Sequence, residues 1–470
     1  MNDEMPLSAA AADATIVIVG AGQAGFQAAA SLREQGYEGR VVLIGDEASL
    51  PYQRPPLSKA HLKDDAQDAQ LHFRPDTYFA ERRIELRAPE RVEAIDRAAR
   101  RVRLASGESL GYDHLVLATG TRPRRPAWPG IELSGVLLLR TLEDARRIRE
   151  SLRTAKKVVI VGAGFIGLEV AATALAAGLQ VSVVEFADRP LKRALSREMA
   201  AHLQRAHASR GVEFLMPASV AALEGSDGRV TAVTLQDGRR LEADLVLVGI
   251  GVQPNIELAA AAGLQVDDGI VVDAQLSTCD PHISAIGDCA RYPSVHHPRA
   301  VRLESVQNST DQARAVAARL TGKPAPYDKL PWFWSDQGDL RVQMCGLAEE
   351  SDDAVLRGDA ATGKFSVLRF RGDKLTAVES INHPAEHMAL RKILAAGGRL
   401  SREQAADAAL KMSSLAAALA PPARAATALA AGTGTPSSAA TAPAPAAGTS
   451  VPPAPAAASA PAVPTEPKGR

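Results

Sequence analysis

The sequence predicts an α/β fold: two parallel-sheet units, a smaller α+β unit behind them, and a disordered tail rich in alanine and proline. Three observations carry that reading. A strand, glycine turn, helix and strand follow one another twice, at residues 15–44 and 157–184. Alternating apolar runs come late, around 354–370. The composition then changes abruptly near residue 413, so that residues 421–470 hold eleven prolines and eighteen alanines.

Residues 1–13 carry Asp3 and Glu4 where a secretory leader needs positive charge, and read as a flexible start. No run approaches the ~18 apolar residues that cross a bilayer, so the chain is expected to be cytoplasmic, with no membrane partner. Fifty-four Lys+Arg balance fifty-four Asp+Glu. That balance argues against a nucleic-acid partner, a role that needs a dense basic field. Cys279, Cys289 and Cys345 are an odd, widely spaced set without C-x-x-C spacing, which points away from a disulfide scaffold and from a bound metal.

The first unit opens on the β-branched run Thr15–Val19, turns through Gly20-x-Gly22-x-x-Gly25, continues in an alanine-rich helix over Phe26–Leu32, and reaches a second strand at Arg40–Ile44 with Asp46 or Glu47 beyond it. The second unit repeats this with Lys157–Val161, Gly162-x-Gly164-x-x-Gly167, a helix over Leu168–Ala177, and Gln180–Val184 closed by Glu185. In each, the first glycine makes the tight turn, the second lets backbone approach a pyrophosphate, and the third allows helix and strand to pack closely. The helix start then offers free N–H groups to phosphates. Two such fingerprints predict two Rossmann-like dinucleotide-binding units. A carboxylate at the position of Glu185 accepts from the 2′-hydroxyl of NAD and repels the 2′-phosphate of NADP, so NADH is the expected nicotinamide.

Two further strands end at close-approach turns, one at Thr119-Gly120 and one at Gly287-Asp288, where an acid can accept from ribitol hydroxyls. His296 and His297 lie in a Pro-containing loop, and His383 and His387 lack the H-E-x-x-H order of a metal pair, with Pro384 opening a helix between them; all read as solvated or capping.

Together with these marks, Pro51-Tyr-Gln-Arg-Pro-Pro-Leu-Ser-Lys59, Arg140-Thr-Leu-Glu-Asp, Gly162-Ala-Gly-Phe-Ile-Gly-Leu-Glu169, Gly287-Asp-Cys, Glu304-Ser-Val-Gln-Asn and Trp332-Phe-Trp-Ser-Asp-Gln337 make residues 14–412 resemble the FAD-dependent pyridine nucleotide reductases of the glutathione-reductase fold. Within them the likeness is to the NADH-dependent ferredoxin and rubredoxin reductases of bacterial oxygenase systems, the putidaredoxin-reductase-like enzymes. The resemblance implies FAD along the first fingerprint, with Asp46 at the adenosine ribose, Lys59 near the flavin, Val92 on the adenine side, Thr119, Gly120 and Arg140 in contact, and Gly287, Asp288 and Val306 at the ribitol and ring. It implies NADH along the second, with Glu185 at its ribose and Gly251 among its contacts. Lys59, Glu169 and Trp334 are the implied catalytic residues: an ion pair at the reactive edge of the ring and a tryptophan lining its pocket. From spacing alone, Trp332, Phe333 and Trp334 read equally well as core aromatics.

The implied activity is electron transfer from NADH through FAD to a ferredoxin- or rubredoxin-type iron–sulfur carrier, by a monomer or homodimer. Relatives on this fold that reduce disulfides need a redox cysteine after the first βαβ unit, and Glu47–Asp76 contains none. Cys289 beside Asp288 reads as a small packed residue. Arg74, Arg122, Arg124, Arg125 and Arg314 are candidates for a basic rim facing an acidic carrier. The alternatives are an NADH-binding flavoprotein with an interaction role, resembling apoptosis-inducing-factor-like proteins, and an NADH:quinone or oxygen oxidoreductase. The expected organisation is a flexible 1–13, an FAD-binding part from 14–120 and 253–328, an NAD-binding part at 121–252, a carboxyl-terminal part at 329–412, and the tail 413–470.

Overall fold

Runs dominated by valine and isoleucine form the inner strands of two five-stranded parallel sheets, because β-branched side chains suit a pleat covered on both faces. The computed structural model describes residues 14–63 and 66–419; the expectations for 1–13 and for the tail from 420 onward lie outside the described residues. The first sheet runs Ile283–Ala285, His114–Leu117, Thr15–Val19, Arg40–Ile44, Ile84–Arg87 in spatial order, with every pair parallel. The second runs Val212–Leu215, Gln180–Val184, Lys157–Val161, Leu245–Val248, Val136–Leu137, again all parallel. In both, the central strand feeds the glycine turn, and the strand after the helix returns beside it. The strands Thr121–Pro123 and Val252–Pro254 pair antiparallel where the chain passes from one sheet to the other and back.

The helices start close to their expected positions. Gln23–Glu34 and Phe165–Ala176 begin directly after Gly22 and Gly164, so the second opens three residues before Leu168, within its glycine motif. Thr141 caps Leu142–Thr154 through a reciprocal bond pattern with Asp144. A five-stranded antiparallel sheet of Trp332–Gln337, Leu340–Gly346, Lys374–Ile381, Lys364–Arg371 and Asp353–Asp359 forms the third body. Leu340, Val342, Phe365 and Ile381 of that sheet share one buried cluster with Leu57, Ile160 and Leu168, so the third body packs against the second unit and the turn at Pro55–Ser58. Among the described residues no helix is long and apolar enough to cross a membrane.

Two expectations are corrected. The composition change at residue 413 falls inside the helix Met412–Ala418, whose Met412 and Ala416 are buried in the same cluster as Leu390 and Ile393; alanine-rich sequence is helical where an apolar face finds a partner. His387 is 1 % exposed, with Nδ1 3.1 Å from Ser380 Oγ, and is neither solvated nor a cap. Pro384 does open the helix Pro384–Ala395, and its four-residue spacing turns His387 onto the sheet while His383 sits at the start.

Burial pushes His387 down to about 4 and the buried His114 down to about 3. An unfolded histidine titrates near ~6.5. Below that pH the unfolded chain binds protons that the folded chain refuses until far lower pH, so this stability is intact above pH ~6.5 and declines as pH falls toward the folded values. Urea unfolding at pH 7 and pH 5 should show a loss of about 2 kcal/mol for each of the two histidines; His387→Gln should remove its share of the difference.

Candidate functional site

Four close contacts shape the two glycine turns. Gly20 has φ +108° and a Cβ there would stand 2.2 Å from the Ala118 carbonyl oxygen; Gly162 has φ +109° and would meet the Gly249 oxygen at 2.3 Å. One turn further on, a Cβ at Gly25 would lie 1.8 Å from the Gly20 oxygen, and one at Gly167 2.1 Å from the Gly162 oxygen. The middle glycines differ in kind. At Gly164 nothing lies within 4 Å of a built Cβ, and at Gly22 only Arg54 Nη2 does, at 4.0 Å. Both sit at helix starts without a side-chain cap and both line one large cavity. The outer glycines serve packing; the middle ones leave room for a guest at a helix N-terminus.

That cavity has a volume of about 1450 Å³ and reaches both turns. A pocket for one drug-sized ligand is usually ~300–1,000 Å³. Asp46 lines it beyond the first unit's second strand, whereas neighbouring Glu47 is engaged by Arg54 Nη2 at 2.5 Å and by the Tyr52 hydroxyl at 2.5 Å. Glu185 lines it in the second unit and accepts from the backbone N–H of Ala163 at 2.7 Å and of Ala187 at 2.8 Å. Its carboxylate is thereby anchored to the glycine turn beside the place a ribose would occupy.

Further elements converge on the wall. The Asn255 amide donates to the Thr119 carbonyl at 2.8 Å, and the Thr119 hydroxyl donates to the Asn255 carbonyl at 2.7 Å, fixing the Thr119-Gly120 turn. Asp288 takes contacts of 3.4 Å from each of Arg140 Nη2, Thr121 Oγ1 and Ser309 Oγ. Burial lowers the Arg140 guanidinium, against the pull of Asp288. Val306 opens the helix Val306–Leu320, capped by Ser305, and Gly251 lies on the second unit's side; both line the cavity.

At the junction of the units, Lys59 Nζ stands 2.7 Å from Glu169 Oε2, with the Lys59 side chain 22 % exposed and that of Glu169 only 5 %. Lys59 comes from the turn after Pro55–Ser58, Glu169 from the helix Phe165–Ala176. The Ser58 hydroxyl donates to Glu169 Oε2 at 2.5 Å and the Ser335 hydroxyl to Oε1 at 2.6 Å. Lys59, Glu169 and Trp334 all line the cavity, and Trp334 stacks on Trp332 with ring centroids 5.5 Å apart.

The structure therefore gathers Gly20, Gly22, Asp46, Lys59, Thr119, Gly120, Arg140, Asp288 and Val306 with Gly162, Gly164, Glu169, Glu185, Gly251 and Trp334 on one cavity. Gly25 and Gly167 stand behind the turns, and Gly287 behind Asp288, where a Cβ would meet Ala24 Cβ at 2.9 Å. Val92 is not among the residues on that wall. It begins the strand Val92–Asp96, pairs with Leu104 in a small antiparallel sheet, and is buried in the first core, away from the cavity wall. The reading also gave no role to Arg54, Ser58 or Ser335. Their one signal is adjacency, since two lie in the Pro51–Lys59 segment and the third directly follows Trp334.

Three candidate docking arginines are already paired, Arg122 with Glu257 at 2.5 Å, Arg125 with Glu132 at 2.5 Å and Arg314 with Asp311 at 3.8 Å. Arg74 lies over the Tyr78 ring. None of the three thiols lines the cavity. Cys289 and Cys345 are buried, the latter pushed up to about 12 by burial, and Cys279 is exposed.

Comparison with known proteins fits this geometry. Residues 14–313 match the family model "Pyridine nucleotide-disulphide oxidoreductase" and 332–416 the model "Reductase C-terminal". Rhodocoxin reductase of Rhodococcus erythropolis is 51% identical over 393 residues, 84% of this chain and 92% of that protein. The solved ferredoxin reductase for the CYP199A2 system of Rhodopseudomonas palustris superposes with a TM-score of 0.84 at 49% identity, covering 86% of this chain and 100% of that one. The reductase of the covalent putidaredoxin reductase–putidaredoxin complex also gives 0.84, at 42% identity, covering 86% and 99%.

The two classes of glycine separate in a stability and binding measurement. Gly164→Val should leave unfolding within about 1 kcal/mol of the parent while raising KM for NADH at least tenfold. Gly167→Val should destabilise by about 3 kcal/mol or more, since its Cβ meets backbone.

Proposed function

The chain belongs to the pyridine nucleotide-disulphide oxidoreductase family, in its ferredoxin-reductase branch, and from that we propose that it is an FAD-dependent NADH oxidoreductase delivering electrons to a ferredoxin- or rubredoxin-type iron–sulfur carrier of an oxygenase system. The observation that carries this reading is the single cavity in which two glycine turns with open middle positions share the Lys59–Glu169 pair and Trp334, with no thiol on its wall. Bound there, FAD supplies what neither partner has, acceptance of a hydride and release of electrons one at a time.

The chain's own residues then have these tasks. Gly22 and the start of the helix Gln23–Glu34 receive the FAD pyrophosphate, with Asp46 at the adenosine ribose. Thr119, Gly120, Arg140, Asp288 and Val306 hold the ribitol and ring portion. Gly164 and the start of Phe165–Ala176 receive NADH, with Glu185 at its ribose and Gly251 at the opposite wall. Lys59 places a positive charge beside the ring, held there by its 2.7 Å pairing with the Glu169 carboxylate. A fixed cation there favours the electron-rich ring, in the manner of any preorganised charge. Trp334 shields the ring from water and defines the wall toward the third body. The disulfide route of other family members is closed by the position of the cysteines, so the electrons leave as single charges to a docked protein. We place the enzyme in the cytoplasm, where NADH is available.

Anaerobic mixing of the yellow holoenzyme with NADH and a [2Fe–2S] ferredoxin should give carrier reduction at a rate that saturates with NADH, and NADPH should serve far less well. Glu185→Ala with Phe186→Arg should shift the ratio of kcat/KM values toward NADPH by at least tenfold; an unmoved ratio would displace the ribose from Glu185.

A further inference from the structure

Glu169 holds more hydrogen bonds than pairing with Lys59 requires, and those on one side continue into the protein. Ser335, fully buried on the strand Trp332–Gln337, donates to Glu169 Oε1 at 2.6 Å. Gln337, two residues along the same strand face, donates through Nε2 to Ser335 Oγ at 3.3 Å. The Gln337 Oε1 oxygen lies 2.8 Å from Nε2 of His207, a histidine 1 % exposed on the helix Arg197–Ala208. Since that oxygen can only accept, His207 carries its proton on Nε2. Every bond in this line points the same way, from His207 to Gln337 to Ser335 to the carboxylate. It joins three elements of two bodies: the helices Phe165–Ala176 and Arg197–Ala208 of the second unit and the strand Trp332–Gln337 of the antiparallel sheet.

We infer that Ser335, Gln337 and His207 are positioning residues, a one-way file of donors that keeps Glu169 ionised while the ring beside Lys59 gains electrons. The inference rests on the reading that FAD lies against Lys59. A buried carboxylate resists ionisation. Lys59, whose ammonium also reaches the Pro55 carbonyl at 3.2 Å and Ser58 Oγ at 3.4 Å, offsets that as long as Glu169 is the one anion it faces. When negative charge arrives on the ring, the ammonium is shared, and a carboxylate held by Lys59 and Ser58 alone would take a proton. Ser335 supplies a second oxygen with a fixed donor that does not depend on the ring's charge. Gln337 and His207 in turn prevent the Ser335 hydroxyl from rotating away, because its lone pair is occupied. The titratable and charged groups facing this line are Lys59 from the turn, Glu169 itself, His207, and the Arg210–Asp339 ion pair at 2.6 Å alongside the histidine. Burial holds His207 below its ordinary value, with Arg210 adding to the effect and Gln337 working against it, so the outer end stays neutral.

Proton uptake on reduction reads this directly. Dithionite delivers two electrons to the flavin of the holoenzyme, and the ring takes one proton from solvent and stays anionic. The parent should therefore take up about one proton per flavin across the neutral range, measured with an indicator dye. In Ser335→Ala the same two electrons should draw an additional proton onto a Glu169 oxygen at the acid end of that range, raising uptake toward about two. Gln337→Met, which fills the same space without a donor, should do so to a lesser degree. Lys59→Met separates the inference from its premise through the flavin midpoint potential. An unmoved potential in Lys59→Met removes the flavin from that lysine and overturns both. A moved potential with single-proton uptake in Ser335→Ala overturns the inference alone, and extra uptake in Ser335→Ala but none in Gln337→Met overturns the part assigned to Gln337 and His207.

Discussion

One ion pair joins the parts of this molecule that must keep their distance from one another. Lys59 belongs to the turn that follows the first unit, Glu169 to the helix behind the second unit's glycine turn, and the hydroxyl that completes the carboxylate comes from the antiparallel sheet. Breaking such a pair by removing one partner leaves an uncompensated buried charge, a penalty of about 3–5 kcal/mol in fully buried cases and less here, where Lys59 is partly exposed. The pair is thus a registration device as well as a charge at the reacting centre. Two nucleotide sites on separate sheets can face each other productively only when the sheets are held in one relative position.

The walls around that centre follow a division of labour between backbone and side chain. Backbone is the proposed holder of the phosphates, through helix starts and glycine turns whose middle positions carry no side chain. Carboxylates at strand ends, Asp46 and Glu185, are the groups proposed for the sugars. Charged side chains line several stretches of the cavity, Asp46, Glu185 and the Arg140–Asp288 contact among them, and the Lys59–Glu169 pair shares its part of the wall with Phe165, Phe333 and Trp334.

The two parallel units were legible in the sequence because their signals are local: the apolar runs, the glycine spacing and the acid beyond each second strand all lie within about 30 residues of one another. The antiparallel third body was anticipated from the run Phe365–Phe370, although that stretch is buried along its whole length and not at every second residue. What escaped depends on contacts between distant segments. Ser58 and Ser335 are 277 positions apart and meet on one carboxylate. His387 looked polar in sequence, and its helix turned it inward. The helix Met412–Ala418 looked like the beginning of the tail because alanine is equally at home in a helix and in an unstructured run, and only the buried neighbours of Met412 decide between them.

Where the chain leaves the first sheet and where it comes back are adjacent. Thr121–Pro123 and Val252–Pro254 run side by side, and the next rung out joins the Arg124 amide to the Gly251 carbonyl at 2.9 Å. To the host sheet, everything from 124 to 251 is the loop of a hairpin. A recombination event with both breakpoints in these two strands exchanges the whole second unit, the proposed nicotinamide site with Glu185 included, and leaves the host strand order intact. Choice of electron donor can on this architecture be inherited separately from choice of electron recipient.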